Sequence, residues 1–274
     1  MREIIRKVPI PTAGVALGLA ALGNLLQPYT EIVHIVCGIL SLVLIAMLGA
    51  KIALFPDMIR DDLHNSIMAS VSATLFMTLM QLAGYLAPFA YIPAFALWSA
   101  AVVAHLALMG WFTARFISHF KLHEVFPTYF ICYVGIVVAS VTSPTFGMEA
   151  VGHLLFWFGF ACYVVLLGLV TYRYMKHEIP ESARPLFCIY TAPMSLSLVG
   201  YLATAPQPNL VFVLAMLVLA QVLFAVVLSR LPVLLRLRFY PSYAAMTFPF
   251  VITATALGRR SRSSRLTALR YPKC

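Results

Sequence analysis

The sequence predicts an all-α integral membrane protein made of repeated helical hairpins, with an inner ring and an outer ring of helices around one axis. Three observations predict this fold: an apolar composition, a repeat of about 57 residues, and basic residues confined to alternate connections. The chain has 274 residues, of which 62% are hydrophobic and 10% are charged. Soluble domains carry about 25% charged residues, so this chain has too little polar surface to remain in water.

Apolar runs long enough to cross a bilayer recur along the chain, since about 20 residues of helix span the hydrocarbon core. We predict nine membrane spans, at residues 10–27, 31–54, 64–86, 91–118, 127–142, 148–174, 184–204, 208–230 and 239–257. Together they form a transmembrane domain of residues 1–257.

Prolines mark the start of the repeated unit, at Pro11, Pro127, Pro185 and Pro241. The gaps are 116, 58 and 56 residues, and 116 is twice 58, so a further unit is expected near Ala69. A period of about 57 residues is longer than the common soluble repeats and accommodates two spans with their loops. The same hairpin used repeatedly predicts a ring of helices around one axis.

The odd-numbered and even-numbered spans differ in composition. Even spans are rich in Leu, Val and Phe, which suits helices that face lipid. Odd spans hold the repeated prolines and many small and hydroxyl residues, which permit close helix packing and also suit a polar path. We therefore predict that the odd spans form the inner ring of pore helices and the even spans the outer ring.

The chain stops one span short of five complete hairpins. Residues 258–274 contain six Lys and Arg residues and cannot form a tenth span. We expect an aberrant basic tail that replaces a lost tenth helix, through a truncated or frameshifted terminus. A genuine basic tail is the alternative.

Basic residues lie on alternate sides of the predicted spans. The connections at residues 27–30, 86–91, 142–147 and 204–209 contain no Lys or Arg. The opposite side carries Arg2, Arg6, Lys7, Lys51, Arg60, Arg115, Lys121, Arg173, Lys176, Arg184, Arg230, Arg236 and Arg238. The positive-inside rule predicts a multi-pass protein of the cell inner (plasma) membrane with a cytoplasmic N-terminus. Topology explains most of the net charge of +10, and no nucleic-acid partner is expected.

Two matched prolines are candidate pore residues. Pro193 follows Pro185 by eight residues, and Pro249 follows Pro241 by eight. A proline inside a helix removes a backbone hydrogen bond and bends the chain, so two matched bends are expected to face the central axis. Packing is the alternative, because proline is common in membrane helices.

Small and hydroxyl residues of the odd spans are further candidates for the pore lining: Gly14, Gly135, Thr191 and Thr247. Apart from Arg184 at the start of the seventh span, the odd spans contain no Asp, Glu, Lys or Arg. Ion-coupled pumps use ionisable groups within the membrane, so their absence favours passive permeation. A basic mouth would raise the local concentration of anions.

Phe248 is the candidate gate. It precedes Pro249 in the sequence Thr247-Phe248-Pro249-Phe250, and a ring at a bend could plug a narrow pore as a hydrophobic constriction. The local sequence alone also fits a packing role.

These segments resemble the tellurite-resistance/dicarboxylate transporter family, which includes bacterial TehA-type proteins and the slow-type anion channels of plant guard cells. The matching segments are Ile10–Gly14, Phe126–Tyr129, Arg184–Phe187 and, most specifically, Tyr240–Phe250. The resemblance covers about residues 1–257. It implies ten helices in five hairpins with pseudo-fivefold symmetry, homotrimers with one pore per protomer, and an aromatic plug that maps to Phe248. The missing tenth helix departs from this pattern.

The expected function is therefore an anion channel or facilitator for small inorganic anions or C4-dicarboxylates, with Phe248 obstructing the pore. The alternative is a coupled secondary transporter that exports dicarboxylates or toxic oxyanions such as tellurite. An enzyme that uses the acidic stretch Asp57–His64 is a third hypothesis, which we do not favour because the other cytoplasmic loops offer mostly Arg and Lys. We expect no metal site and no cofactor; the expected partners are anions, the lipid bilayer and two further copies of the chain.

Overall fold

The computed structural model describes residues 2–258, which form helices with short connections and contain no strand. The α-helices are α1 (Arg2–Arg6), α2 (Thr12–Leu26), α3 (Glu31–Leu54), α4 (Pro56–Asp62), α5 (Ser66–Val71), α6 (Ala73–Leu86), α7 (Tyr91–Phe112), α8 (Thr128–Val134), α9 (Val137–Thr142), α10 (Glu149–Lys176), α11 (Ala192–Thr204), α12 (Leu210–Leu234) and α13 (residues 248–258). Four 3-10 helices cover Leu122–Glu124, Ser143–Phe146, Glu181–Thr191 and Pro241–Met246, and a π-helical turn covers Thr113–Ile117.

The protein is a multi-pass membrane protein. Within the described chain, six stretches are long and apolar enough to cross a bilayer: Glu31–Leu54, Ser66–Leu86, Tyr91–Ile117, Glu149–Lys176, Glu181–Thr204 and Leu210–Leu234. A seventh is obtained if Thr128–Val134 and Val137–Phe146, which meet at 50°, count as one span. Helical segments lie at all nine predicted positions. The count of nine spans stays a prediction, because α2 has only 15 residues and α13 is described only to Gly258. The rest of the predicted tail at 258–274 lies outside the described residues.

Burial divides the spanning stretches into two classes. In the apolar windows of α3, α10, α12 and Tyr91–Ile117, only 28% to 33% of residues are buried. The corresponding values are 61% for Ser66–Leu86 and 83% for Glu181–Thr204. The first class exposes broad apolar faces of the kind that contact lipid, and the second class supplies most of the interior.

Five stretches, which we call the inner segments, contact one another in a closed cycle. They are α2, α5–α6, α8–α9, Glu181–Thr204 and residues 241–258. Each contacts the next along the chain, and the last contacts α2 through its 3-10 helix. The helices α3, α7, α10 and α12 each pack against the inner segment that precedes them.

The last two inner segments change from 3-10 to α-helical geometry at matched prolines. Pro193 lies in the first turn of α11, directly after the 3-10 helix Glu181–Thr191. Pro249 is the second residue of α13. Proline is tolerated in a first turn because its missing N–H would have no helical partner there. The sequence led us to expect each proline in the interior of an α-helix, where it would bend the chain. That expectation is wrong: each proline is the second residue of an α-helix.

The third inner segment breaks at the same position of its repeat. Gly135 follows Pro127 by eight residues and lies between α8 and α9, where the chain bends by 50°. A Cβ atom on Gly135 would clash with the Ile131 carbonyl oxygen and lie 2.7 Å from the Met77 sulfur, so a larger residue would require the backbone of α8 to shift. In three of the five inner segments, the helix geometry thus changes about eight residues after the proline that starts the repeat.

Candidate functional site

A cavity of about 250 Å³ lies inside the ring of inner segments. Every inner segment contributes to its wall, for example through Gly14, Met77, Gly135, Pro193 and Phe248. Most lining residues come from the first half of each segment or from just before it, and Met77, Pro193 and Leu196 lie just past the midpoints of theirs, so the cavity lies mainly toward the end of the ring where the inner segments begin. That end is the one with the basic connections.

The wall of this cavity is uncharged. Its described lining residues include no Asp, Glu, Lys or Arg. The polar lining side chains are Asn65, Thr74, Ser182, Tyr240 and Ser242. The environment is apolar with a few hydrogen-bonding groups, so any ion that enters meets neither a fixed countercharge nor a proton-transfer group of the carboxylate type.

Hydrogen bonds join two inner segments at the entrance. The Tyr240 hydroxyl donates to the Glu181 carboxylate at 3.0 Å. The Ser242 hydroxyl donates to the Ser182 carbonyl at 2.6 Å. These bonds hold the two 3-10 helices Glu181–Thr191 and Pro241–Met246 side by side, which fixes the width of one side of the entrance.

Phe248 lines the cavity and is only 6% exposed, so it faces the interior of the ring and not the lipid. Its backbone runs against α2 at Gly18. A Cβ atom on Gly18 would lie 2.9 Å from the Phe248 nitrogen and 2.8 Å from the Thr247 Cβ. Close contact with α2 therefore positions the backbone that carries the aromatic ring.

Phe250, two residues further on, has a different environment. It is not among the lining residues and packs against Phe224 of α12, with ring centroids 5.9 Å apart. The two aromatic residues of the Phe248-Pro249-Phe250 sequence thus face opposite sides of α13, one toward the cavity and one toward the outer helices.

Thr247 links the last inner segment to the first. Its hydroxyl donates to the Gly14 carbonyl at 3.0 Å and to the Ala244 carbonyl at 2.7 Å. Thr191 is fully buried, and its hydroxyl donates to the Cys188 carbonyl at 3.2 Å within its own helix. Both threonines lie outside the cavity lining, because their hydroxyls turn to backbone carbonyls.

The structure therefore brings five of the seven predicted site residues to one cavity: Gly14, Gly135, Pro193, Phe248 and Pro249. Thr191 and Thr247 are placed in the packing between and within inner segments instead.

Several hydroxyl residues of the inner segments form hydrogen bonds across the interfaces between neighbouring segments. The Ser70 hydroxyl donates to Thr128 Oγ1 at 2.8 Å, and the Ser195 and Thr253 hydroxyls lie 3.1 Å apart. Both pairs are separated by 58 residues, which is the gap between Pro127 and Pro185. Thr74, Ser182 and Ser242 line the cavity.

Sequence reasoning missed the large apolar lining residues, including Leu17, Met77 and Leu196. Met77 follows Ala69 by eight residues, the spacing that marks Pro193 and Pro249, so the repeat register would have identified it. Leu17 and Leu196 carry no such signal, because they are apolar residues within apolar spans.

The acidic stretch Asp57–His64 lies in and just after α4, and none of these described residues lines the cavity. The Asp62 carboxylate lies 3.7 Å from Lys51 Nζ, which also donates to the Val8 carbonyl at 2.8 Å. These contacts attach α4 and the N-terminal residues to the end of α3.

A family model, SLAC1, described as a voltage-dependent anion channel, matches residues 7–271 of this chain. A comparison with curated proteins finds no match.

Proposed function

Because this chain belongs to the voltage-dependent anion channel family SLAC1, we propose that it passes anions through the cavity inside its ring of inner segments. Membership of a family of anion channels and transporters gives the general activity. The route of the anion through the cavity, its obstruction by Phe248 and the identity of the anion are our proposals. The observation that carries them is an uncharged cavity inside a closed cycle of helices, with Phe248 in its wall.

Passive permeation is the mechanism that the cavity favours. Conduction requires that an ion enter the pore and bind weakly enough to leave it again. A wall without fixed charges binds anions weakly. The basic residues at the same end of the inner segments would raise the anion concentration at the mouth. The protein then supplies selectivity at the entrance and a low-affinity path beyond it.

Phe248 is the proposed gate. Its side chain belongs to the cavity wall, and the approach of α2 at Gly18 leaves its backbone little freedom to retreat. Opening would then require the ring to rotate about its own side-chain bonds, or α13 to move relative to α2. Removing the ring would relieve the obstruction without either motion.

Small inorganic anions or C4-dicarboxylates are the proposed substrates. A water molecule occupies about 30 Å³ of liquid, so a cavity of about 250 Å³ has room for a partly hydrated ion or a small dicarboxylate. The coupled transporter of dicarboxylates or oxyanions remains the alternative.

The proposed architecture is five hairpin units with pseudo-fivefold symmetry, assembled as a homotrimer in the plasma membrane with the N-terminus in the cytoplasm. Contacts between consecutive inner segments and the 58-residue separation of their hydroxyl pairs support the symmetry. The distribution of Lys and Arg supports the orientation.

Anion efflux from liposomes tests the function. Wild-type protein and Phe248→Ala would be reconstituted into vesicles loaded with chloride or succinate, and efflux measured at a set membrane potential, with and without a protonophore. We expect efflux to follow the anion's electrochemical gradient and to be unchanged when the proton gradient collapses. Efflux that requires a proton gradient would contradict the channel and support the coupled transporter. Vesicles without protein give the background leak.

A further inference from the structure

A second cavity, of about 750 Å³, lies outside the ring of inner segments. It is bounded by the end of α10 and the residues that follow it, by the 3-10 helix Glu181–Thr191, and by the end of α12. We call it the lateral groove. It lies at the end of the molecule that carries the basic connections, beside two helices with broad exposed apolar faces.

Three basic side chains line the lateral groove, and each comes from a different element: Lys176 from α10, Arg184 from the 3-10 helix, and Arg230 from α12. Within residues 2–258, none of the three has a carboxylate within 4.0 Å. Among the described lining residues, Glu178 is the only acidic one, so positive charge is in excess there. Like charges that line one groove without a carboxylate partner repel one another, and a bound anion would relieve that repulsion.

Apolar side chains form the rest of the wall. Met175 is 77% exposed and Val233 is 60% exposed, and both lie next to the basic residues. Phe187 and Ile179 are half-buried in the same wall. The groove therefore combines a cationic patch with apolar surface that requires a non-aqueous neighbour.

We propose that the lateral groove binds the headgroup of an anionic phospholipid. The phosphate lies among Lys176, Arg184 and Arg230, and the acyl chains lie along the exposed apolar side chains of α10 and α12. Basic pockets between membrane helices are suited to anionic headgroups, and each basic residue adds to the attraction of the leaflet. The apolar wall is the reason to choose a lipid over a soluble phosphate, which would leave Met175 and Val233 uncovered.

Orientation in the membrane explains why basic residues lie on this side, but it does not explain why three of them line one groove. Arg236 and Arg238 lie on the same side, are exposed, and do not line the lateral groove. They provide a matched control, because replacing them removes the same charge from the same end of the molecule.

Native mass spectrometry of the delipidated full chain tests this proposal. Wild type, Arg184→Gln/Arg230→Gln and Arg236→Gln/Arg238→Gln would each be titrated with phosphatidylglycerol and with phosphatidylcholine of equal chain length. We expect wild type and the control to prefer phosphatidylglycerol, and the groove variant to lose that preference by roughly tenfold or more. Lys176→Gln serves as a milder second variant and should lose part of the preference. Gel filtration and circular dichroism verify that each variant is folded.

Three results would overturn the proposal. One is a groove variant that keeps the wild-type preference. The second is an equal loss in the Arg236→Gln/Arg238→Gln control, which would mean that net charge alone attracts the lipid. The third is complete displacement of phosphatidylglycerol by millimolar inorganic phosphate, which would make the groove a site for free phosphate.

Discussion

Gly18 is the residue that sets how closely the segment carrying Phe248 approaches α2. The atoms nearest to a Cβ atom at this position would be the Thr247 Cβ at 2.8 Å and the Phe248 backbone nitrogen at 2.9 Å. Neither can be moved by rotating a flexible side chain, so a methyl group here must displace the backbone. The glycine is therefore required by contact with a neighbouring segment and not by its own helical conformation.

Replacing Gly18 with alanine should destabilise the protein by about 1–3 kcal/mol, the usual cost of overpacking a filled interior. Gly84→Ala is the control, because a Cβ atom there meets nothing within 4 Å. Alanine favours helix over glycine, so this control should be neutral or slightly stabilising. Thermal unfolding midpoints in detergent compare the two variants, and equal effects would contradict the close contact at Gly18.

At the residue scale, the sequence predicted what depends on local chemistry. Phe248 and Pro249 stand out by their motif, and both line the cavity. Thr191 and Thr247 could not be assigned correctly, since the direction of a hydroxyl depends on the rotation of its helix and on which carbonyls lie within reach. That information comes from packing and not from residue type.

At the scale of elements, hydroxyl pairs are one kind of polar contact that joins neighbouring inner segments. The Ser195 and Thr253 hydroxyls lie 3.1 Å apart in a fully buried interface. Thr255, half a turn further on, donates only to the Val251 carbonyl of its own helix at 2.9 Å. The two threonines of α13 therefore differ in whether they couple one segment to another.

A double-mutant cycle measures this coupling. Ser195→Ala and Thr253→Val should show an interaction energy of about 0.6 kcal/mol, with an upper limit of about 1.7 kcal/mol, the range found for hydrogen bonds between membrane helices. The cycle of Ser195→Ala with Thr255→Val should give an interaction energy close to zero. Unfolding free energies in bicelles supply the four values of each cycle, and equal coupling in both cycles would show that the Ser195–Thr253 contact is not specific.

Element boundaries were predictable where composition changes sharply. The second predicted span, 31–54, coincides with α3, because a polar connection precedes it and Phe55-Pro56 ends it. The break at Gly135 was not predicted, because a single glycine is common in membrane helices. The 3-10 geometry of Glu181–Thr191 was also missed, because 3-10 and α-helices share the same residues and differ in packing.

At the scale of the whole molecule, the repeat determines which segments become neighbours. Thr247 and Gly14 are 233 residues apart and hydrogen-bonded, which joins the two ends of the cycle. A period of about 57 residues could predict that such a ring forms, and the composition of the spans could predict which of them lie inside it. It could not predict the cavity volume or the identity of its apolar wall, since these depend on how far each inner segment is displaced from the axis.

The central claim is that the Phe248 ring obstructs a passage for anions, and single-channel current in planar bilayers tests it most directly. Phe248→Leu, Phe248→Val and Phe248→Ala remove the side chain in steps, and Phe250→Ala removes a ring that packs outward against Phe224. Our account predicts that anion current rises as residue 248 becomes smaller, while Phe250→Ala behaves like wild type. Unchanged current in Phe248→Ala, or an equal rise in Phe250→Ala, would contradict it.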